Sequence, residues 1–303
     1  MYVITGASGN TGGVVAEALL SRGEKVRVVG RTPSHLERFT KRGAEAAIAD
    51  LADPDAGNLA NAFSGAKAVY AMIPPDPRST DVLAYQALVS KALVTALQTA
   101  AVTHAVVLSS IGADKADRTG PVVGIHRMEE LFRQVKGLNT LFIRAGYFME
   151  NILPQATVIK NFGMVAGPLR VDLRVPMIAT ADIGAYAADR LLKLDFKDHE
   201  ARELLGQRDV SYGEVAQVIG KAIGNPQLSY QQMPAEQLKP VFMQMGMSEN
   251  MANLLLEMCD ALNSGYMAAL EKRSPENTTP TSIERFVADK FVPLFEGRVA
   301  AHA

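Results

Sequence analysis

One stretch near the start of the chain, Thr5-Gly6-Ala7-Ser8-Gly9-Asn10-Thr11-Gly12-Gly13, constrains the fold more than any other feature. It follows the apolar run Tyr2-Val3-Ile4 and leads into Val14, Val15, Ala18 and Leu19, which share one face of a helix. A strand, a tight glycine turn and a helix are therefore expected in direct succession. A helix start offers unpaired N–H groups and a positive dipole end, and glycines let backbone approach an anion with no Cβ in the way. Glycines at this density also make ordinary turns. Their placement between strand and helix favours a phosphate cradle. The spacing is Gly-x-x-Gly-x-x-Gly rather than the tighter Gly-x-Gly-x-x-Gly.

The pattern beyond the loop extends this reading. Short β-branched apolar runs at 2–5, 25–30, 46–49, 66–72, 104–109 and 140–145 alternate with helical patterns at 12–22, 34–42, 59–63, 81–101 and 124–135. Strand–helix alternation with continuously apolar strands implies a parallel sheet with right-handed crossovers. The expected class is α/β, a doubly wound Rossmann-type sheet with a second, smaller, mainly helical lobe. The dinucleotide-binding domain is expected over 1–153, with the chain returning to it near 176–195, and a substrate lobe over 154–303. In that lobe, short strands are expected at 204–206 and 228–232, with a helix at 212–223 between them.

At 303 residues and 48% hydrophobic content the chain can bury a sizeable core. A formal charge of -1 gives no footprint for tight nucleic-acid binding. The single cysteine, Cys259, rules out an intramolecular disulfide and a thiolate cluster, and no metal site is expected. No apolar run approaches the ~20 residues of a membrane helix, and no leader pattern opens the chain. A cytoplasmic protein without nucleic-acid or membrane partners, monomeric or homodimeric, is the expectation.

The end of the second strand bears on which dinucleotide is held. An NAD site usually carries Asp or Glu there for the ribose hydroxyls. This chain has Val28-Val29-Gly30-Arg31-Thr32-Pro33 and no carboxylate. Arg31 either pairs with a 2′-phosphate through its planar donors or is a solvated surface arginine. Asp50 and Leu51, after the third strand, suit the adenine edge, although Asp50 could equally cap a turn. Ile73 and Pro74, after the fourth, reach the edge where cofactor lies in doubly wound sheets. NADP(H) is the expected cofactor, with Gly6, Ser8, Gly9, Asn10, Thr11 and Gly12 around its pyrophosphate.

The chain resembles the NmrA-like branch of the atypical short-chain dehydrogenase/reductases. The resemblance rests on the glycine loop with Gly30-Arg31 and on Leu108-Ser109-Ser110-Ile111-Gly112-Ala113. It also rests on His126-Arg127-Met128-Glu129, on Arg144-Ala145-Gly146-Tyr147-Phe148-Met149-Glu150-Asn151 and on Ala181-Asp182-Ile183-Gly184. The resemblance implies NADP(H) across the carboxyl edge of the sheet and a substrate cleft between the lobes. It implies either a reductase of quinones and other flat conjugated acceptors or a non-catalytic, redox-sensing regulator acting through a protein partner. On this basis Ser109, Gly146, Tyr147, Phe148 and Asn151 are expected near the nicotinamide.

None of the eight tyrosines is followed by Lys four positions later, so the Tyr-x-x-x-Lys constellation of alcohol dehydrogenation is missing. His126 and Tyr147 are the candidate catalytic groups. His126 points away from the buried stripe of Ile125, Met128, Leu131, Phe132 and Val135, with Glu129 at the stripe's edge, and a capping role is as compatible as proton donation. A quinone needs no protein proton donor, because it accepts hydride once stacked at reactive distance. Methionines 243, 245, 247, 251 and 258 suit either a plastic pocket for flat substrates or plain core. An open, methionine-lined cleft would favour the reductase, and a cleft filled by its own side chains the regulator.

Overall fold

The computed structural model describes residues 1–299. In chain order it runs β1 (Tyr2–Thr5), α1 (Asn10–Leu20), β2 (Val26–Gly30), a turn of 3-10 helix (Pro33–Leu36), α2 (Glu37–Thr40) and β3 (Glu45–Ile48). Next come α3 (Gly57–Phe63), β4 (Ala68–Ala71), α4 (Val82–Thr99), β5 (His104–Ser110), α5 (Val122–Arg133) and β6 (Asn139–Ala145). The second part holds β7 (Tyr147–Phe148), α6 (Gln155–Phe162), β8 (Val165–Gly167), β9 (Val175–Ile178), α7 (Thr180–Lys193), β10 (His199–Leu204) and β11 (Asp209–Val210). It continues with α8 (Tyr212–Ala222), β12 (Tyr230–Gln232), α9 (Ala235–Gln244) and α10 (Glu249–Asn263).

Seven strands form one sheet in the order β10-β6-β5-β4-β1-β2-β3, every pair parallel. The order reverses between β4 and β1, the place where doubly wound sheets bind ligands beyond their carboxyl ends. Central strands are buried on both faces: Val3, Ile4, Val69 and Tyr70 are wholly inaccessible. One face packs on α1 and α7, the other on α3, α4 and α5. A third core, built around α6, α8 and α10, belongs to the second part of the chain.

One strand departs from expectation. A short strand was expected at 204–206 within the smaller lobe, whereas β10 covers His199–Leu204 and pairs with β6 at the edge of the large sheet. Its sequence, His-Glu-Ala-Arg-Glu-Leu, carries charges because an edge strand keeps one flank open. The apolar signal that marks a central strand is therefore missing. Among the described residues no helix is long and apolar enough to cross a membrane.

Candidate functional site

The glycine loop has the geometry of a cradle. Gly6 adopts φ +62°, a conformation that side chains rarely take, and its carbonyl accepts from the Gly9 N–H at 2.9 Å. A Cβ on Gly12 would lie 2.4 Å from the Gly6 oxygen, so the α1 terminus can press on the loop only because this residue is glycine. Ser8, Gly9 and Asn10 stand exposed at the tip. Thr11 is turned inward, its hydroxyl accepting from the buried Tyr70 at 2.9 Å.

At the edge beyond β2, Arg31 is exposed and acts electrostatically on Tyr85, as do Asp76 and Asp50. Asp50 bonds the Ala52 N–H in a local turn at 3.0 Å, while Leu51 is core. A second arginine, not singled out by sequence, joins the cradle. The Arg38 guanidinium lies 4.5 Å over the Phe39 ring, donates to the Ala7 carbonyl at 3.4 Å and crowds Gly13. The only signal available was a cation one element beyond Arg31, which is weak in a helix that is otherwise solvated.

An apolar cleft of about 440 Å³ opens beyond β6, within the range of small-molecule sites. Four of the expected residues, Gly146, Tyr147, Phe148 and Asn151, line it together with Ser110, Ile111, Pro176, Met258 and Met267. A second groove of about 310 Å³ shares Ser110 and Phe148 with it and is lined by Ile73, Pro74, Ser109, Tyr85, Ile125 and Met251. The α10 start is tied over this edge. Ser248 N–H donates to the Pro77 carbonyl at 2.8 Å, Ser248 Oγ donates to the Ser79 carbonyl, and Asn250 accepts from the Val82 N–H at 2.9 Å. The methionines divide accordingly. Met258 and Met267 wall the cleft and Met251 the groove, while Met243 and Met245 are 44% and 60% exposed.

His126 lies elsewhere. Its Nδ1 donates to the Ala113 carbonyl at 2.9 Å, pinning the loop after β5, and it lines neither cleft nor groove. The bond matches the capping role that the sequence left open beside proton donation. Glu129 is also not at the edge of the buried stripe but 1% exposed. It accepts from Ser109 Oγ at 2.6 Å, from Arg144 at 2.9 and 2.7 Å and from Arg133 at 3.2 Å. The Ser109 hydroxyl is therefore committed inward. This network clamps the carboxyl ends of β5 and β6 to α5 beneath the cleft, and Glu129 holds the Arg144 guanidinium above its usual pKa.

Other positions of the long 144–151 stretch are structural for equally definite reasons. A Cβ on Gly146 would sit 2.5 Å from the Pro176 carbonyl, so Gly146 lets β9 pass close by. A larger residue there would disturb the fold before it touched any ligand. Glu150 receives the Thr180 hydroxyl at 2.6 Å and the Thr180 N–H at 3.1 Å, closing the start of α7. Gly184 lets α7 cross α1, where a Cβ would lie 2.6 Å from Val14. Tyr147 remains the one ionisable expected residue on the cleft wall. Burial pushes its phenol above the ordinary value of 10.0, so it holds its proton at neutral pH.

Comparisons with known proteins agree with this architecture. The NAD(P)H azoreductase of Xenophilus azovorans is 28% identical over 280 residues, which span 92% of this chain and 93% of the relative. Among solved structures, an NADPH-dependent quinone oxidoreductase from Escherichia coli, complexed with NADPH, superposes with a TM-score of 0.81. It has 21% identity, and the match covers 95% of this chain and 99% of that one. Triphenylmethane reductase from Citrobacter sp., complexed with NADP(H), gives a TM-score of 0.78 at 19% identity, over 95% of this chain and 100% of that one. The model of the NmrA-like family matches residues 2–295, and the chain belongs to that family.

Proposed function

We propose that the protein is an NADPH-dependent oxidoreductase that passes hydride to flat conjugated acceptors such as quinones and azo compounds. The observation that carries this reading is the open, apolar, methionine-walled cleft at the carboxyl edge of β6, three strands along from the glycine cradle on the same sheet edge. A chain that only sensed its cofactor would have no use for that space. Names of relatives point the same way, since they reduce azo compounds, quinones and triphenylmethane dyes.

The residues present fit NADP(H). Gly6, Ser8, Gly9, Asn10, Thr11 and Gly12 would hold the pyrophosphate through their backbone, where the Gly12 contact leaves no room for a Cβ. Arg31 and Arg38 would receive the 2′-phosphate, and Asp50 and Leu51 would border the adenine. Ile73, Pro74 and the Ser109 backbone would line the path, with Gly146, Tyr147, Phe148 and Asn151 at the nicotinamide. When bound, NADPH supplies the hydride. The protein's part is to seat both rings, to exclude water with Met258, Met267 and Phe148, and to present the Tyr147 hydroxyl to acceptors that need a proton. Residues 1–153 with the return through α7 and β10 hold the cofactor, and the rest of the chain covers the acceptor. We read the protein as cytoplasmic, a monomer or homodimer.

The test is NADPH oxidation by the purified protein across quinones, azo dyes and enones, beside calorimetric titration of NADPH and NADH. Turnover with flat acceptors and tighter binding of NADPH are expected. Tight NADPH binding with no turnover on any acceptor would contradict the reading and favour the regulator.

A further inference from the structure

The two hydroxyls at the floor of the cleft have an order of donation set by their surroundings. Tyr147 lines the cleft, with Asn151 beside it on the same wall. Tyr212, the first residue of α8, lies behind it and is 6% exposed. The rings meet edge to face, centroids 6.1 Å apart, and the hydroxyl oxygens are 3.2 Å apart. Among the described residues the Tyr212 hydroxyl bonds to nothing else. Tyr230, tilted against its other side at 5.1 Å, spends its own hydroxyl on the Leu169 carbonyl at 2.7 Å.

A phenol has one hydrogen to give. Were Tyr147 to donate inward, the Tyr212 O–H would be buried with no acceptor, the arrangement that folded proteins avoid. With Tyr212 donating outward, both hydrogens are used: one reaches the Tyr147 oxygen and the other is turned into the cleft. Burial holds both phenols above 10.0.

We propose that Tyr212 is a positioning residue that fixes Tyr147 as the proton donor for acceptors whose reduction needs a proton at nitrogen, diaryl azo compounds above all. The proposal rests on the reductase reading given above. As hydride reaches one azo nitrogen, the N=N π pair moves to the other, which takes the proton from Tyr147 Oη. The product is the hydrazo compound and NADPH is oxidised to NADP+. The Tyr147 oxygen, left negative, is stabilised by the Tyr212 O–H and recovers a proton from solvent. A quinone has no such need, because the electron pair released by hydride rests on an oxygen that holds negative charge well. The tyrosine pair thus sets preference between two acceptor classes in one cleft.

Tyr212→Phe keeps the ring and removes only the hydroxyl. It should lower kcat for a diaryl azo dye roughly tenfold, as loss of one hydrogen bond to a developing charge implies. Turnover of a simple benzoquinone should stay within about twofold of wild type, since no proton donor acts there. Tyr147→Phe should cost about 10²-fold on the azo dye. The double variant should be no worse than Tyr147→Phe, because Tyr212 acts only through Tyr147. The solvent isotope effect on azo reduction should fall in Tyr212→Phe. Calorimetry with benzophenone on cofactor-free protein gives a readout without turnover: both single variants should bind it more weakly than wild type.

Equal losses on azo dye and quinone, additive losses in the double variant, or unchanged benzophenone affinity in Tyr147→Phe would overturn the proposal. A wild-type protein that reduces quinones but no azo dye would overturn it while leaving the reductase reading intact. A protein that oxidises NADPH with no acceptor would defeat that reading first, and the benzophenone titration would still judge the pair of hydroxyls.

Discussion

The cradle and the cleft occupy one edge of one sheet, yet they are built in opposite ways. The cradle comes from one unbroken stretch, Gly6 to Gly12, and works through backbone: a left-handed Gly6, a Gly9 turn and a Gly12 with no room for a side chain. The cleft is assembled from separate pieces, the end of β5, residues 145–151, the approach to β9, and the segment around Met258 and Met267. Its character comes from side chains. A common cofactor calls for fixed backbone geometry, whereas acceptor choice is left to walls that vary independently. Substitutions in the cradle should therefore weaken cofactor binding sharply, and substitutions in the cleft should redistribute preference among acceptors.

The sharpest way to break this contrast is Gly12→Val. Its Cβ would meet the Gly6 oxygen, and the loop must open to admit it. NADPH affinity should fall about 100-fold or more, which is about 2.8 kcal/mol, as isothermal titration would read. Binding close to wild type would show that the cradle is not the phosphate site.

Glu129→Ala comes next and probes the clamp beneath the cleft. It leaves Arg144, whose side chain is 14% exposed, without its buried partner. Removing one member of such a pair costs about 3–5 kcal/mol, so a large fall in the chemical-denaturation midpoint is expected. A smaller loss, below about 1 kcal/mol, is typical of exposed pairs and would mean that the clamp is not closed. Arg31→Ala should act selectively, weakening NADPH by about 1.5–3 kcal/mol with little change for NADH. Equal weakening of both would show that Arg31 does not read the 2′-phosphate.

The smallest effect concerns pH. Burial, the largest influence on Glu150, raises its pKa above 4.5, and the Thr180 bonds oppose this only in part. The folded state therefore holds that proton more tightly than the unfolded chain. Stability from this group is fully present below pH 4.5 and is lost as pH rises through the raised value. Glu150→Gln should flatten the melting temperature over that window. A Gln variant that keeps the full slope would place the titration elsewhere.

The contrast also explains what the sequence disclosed. The cradle is contiguous, and its glycines, strand and helix could be read within a dozen residues of one another. The five strands between the edges, β6, β5, β4, β1 and β2, were legible because burial on both faces demands unbroken apolar runs. The charged β10 hid for the reverse reason. Glu129 was misjudged: a helical wheel shows which face is buried, and it does not show that Arg144 from β6 waits beneath that face to pair with a carboxylate. Tyr147 was expected on the wall, but Tyr212, 65 positions away, carries no local mark at all. Arg38 was passed over because one more cation on a solvated helix says nothing until the chain folds it back on Ala7.

The central claim is that the cleft brings a flat acceptor onto the nicotinamide of a cofactor held in the cradle. Stopped-flow reduction of a simple benzoquinone, with NADPH deuterated at the transferring C4 position, tests it most directly. A primary isotope effect on the single-turnover rate is expected, retained in Tyr212→Phe. NADPH that binds tightly but is never oxidised, with deuterium or without, would contradict the account.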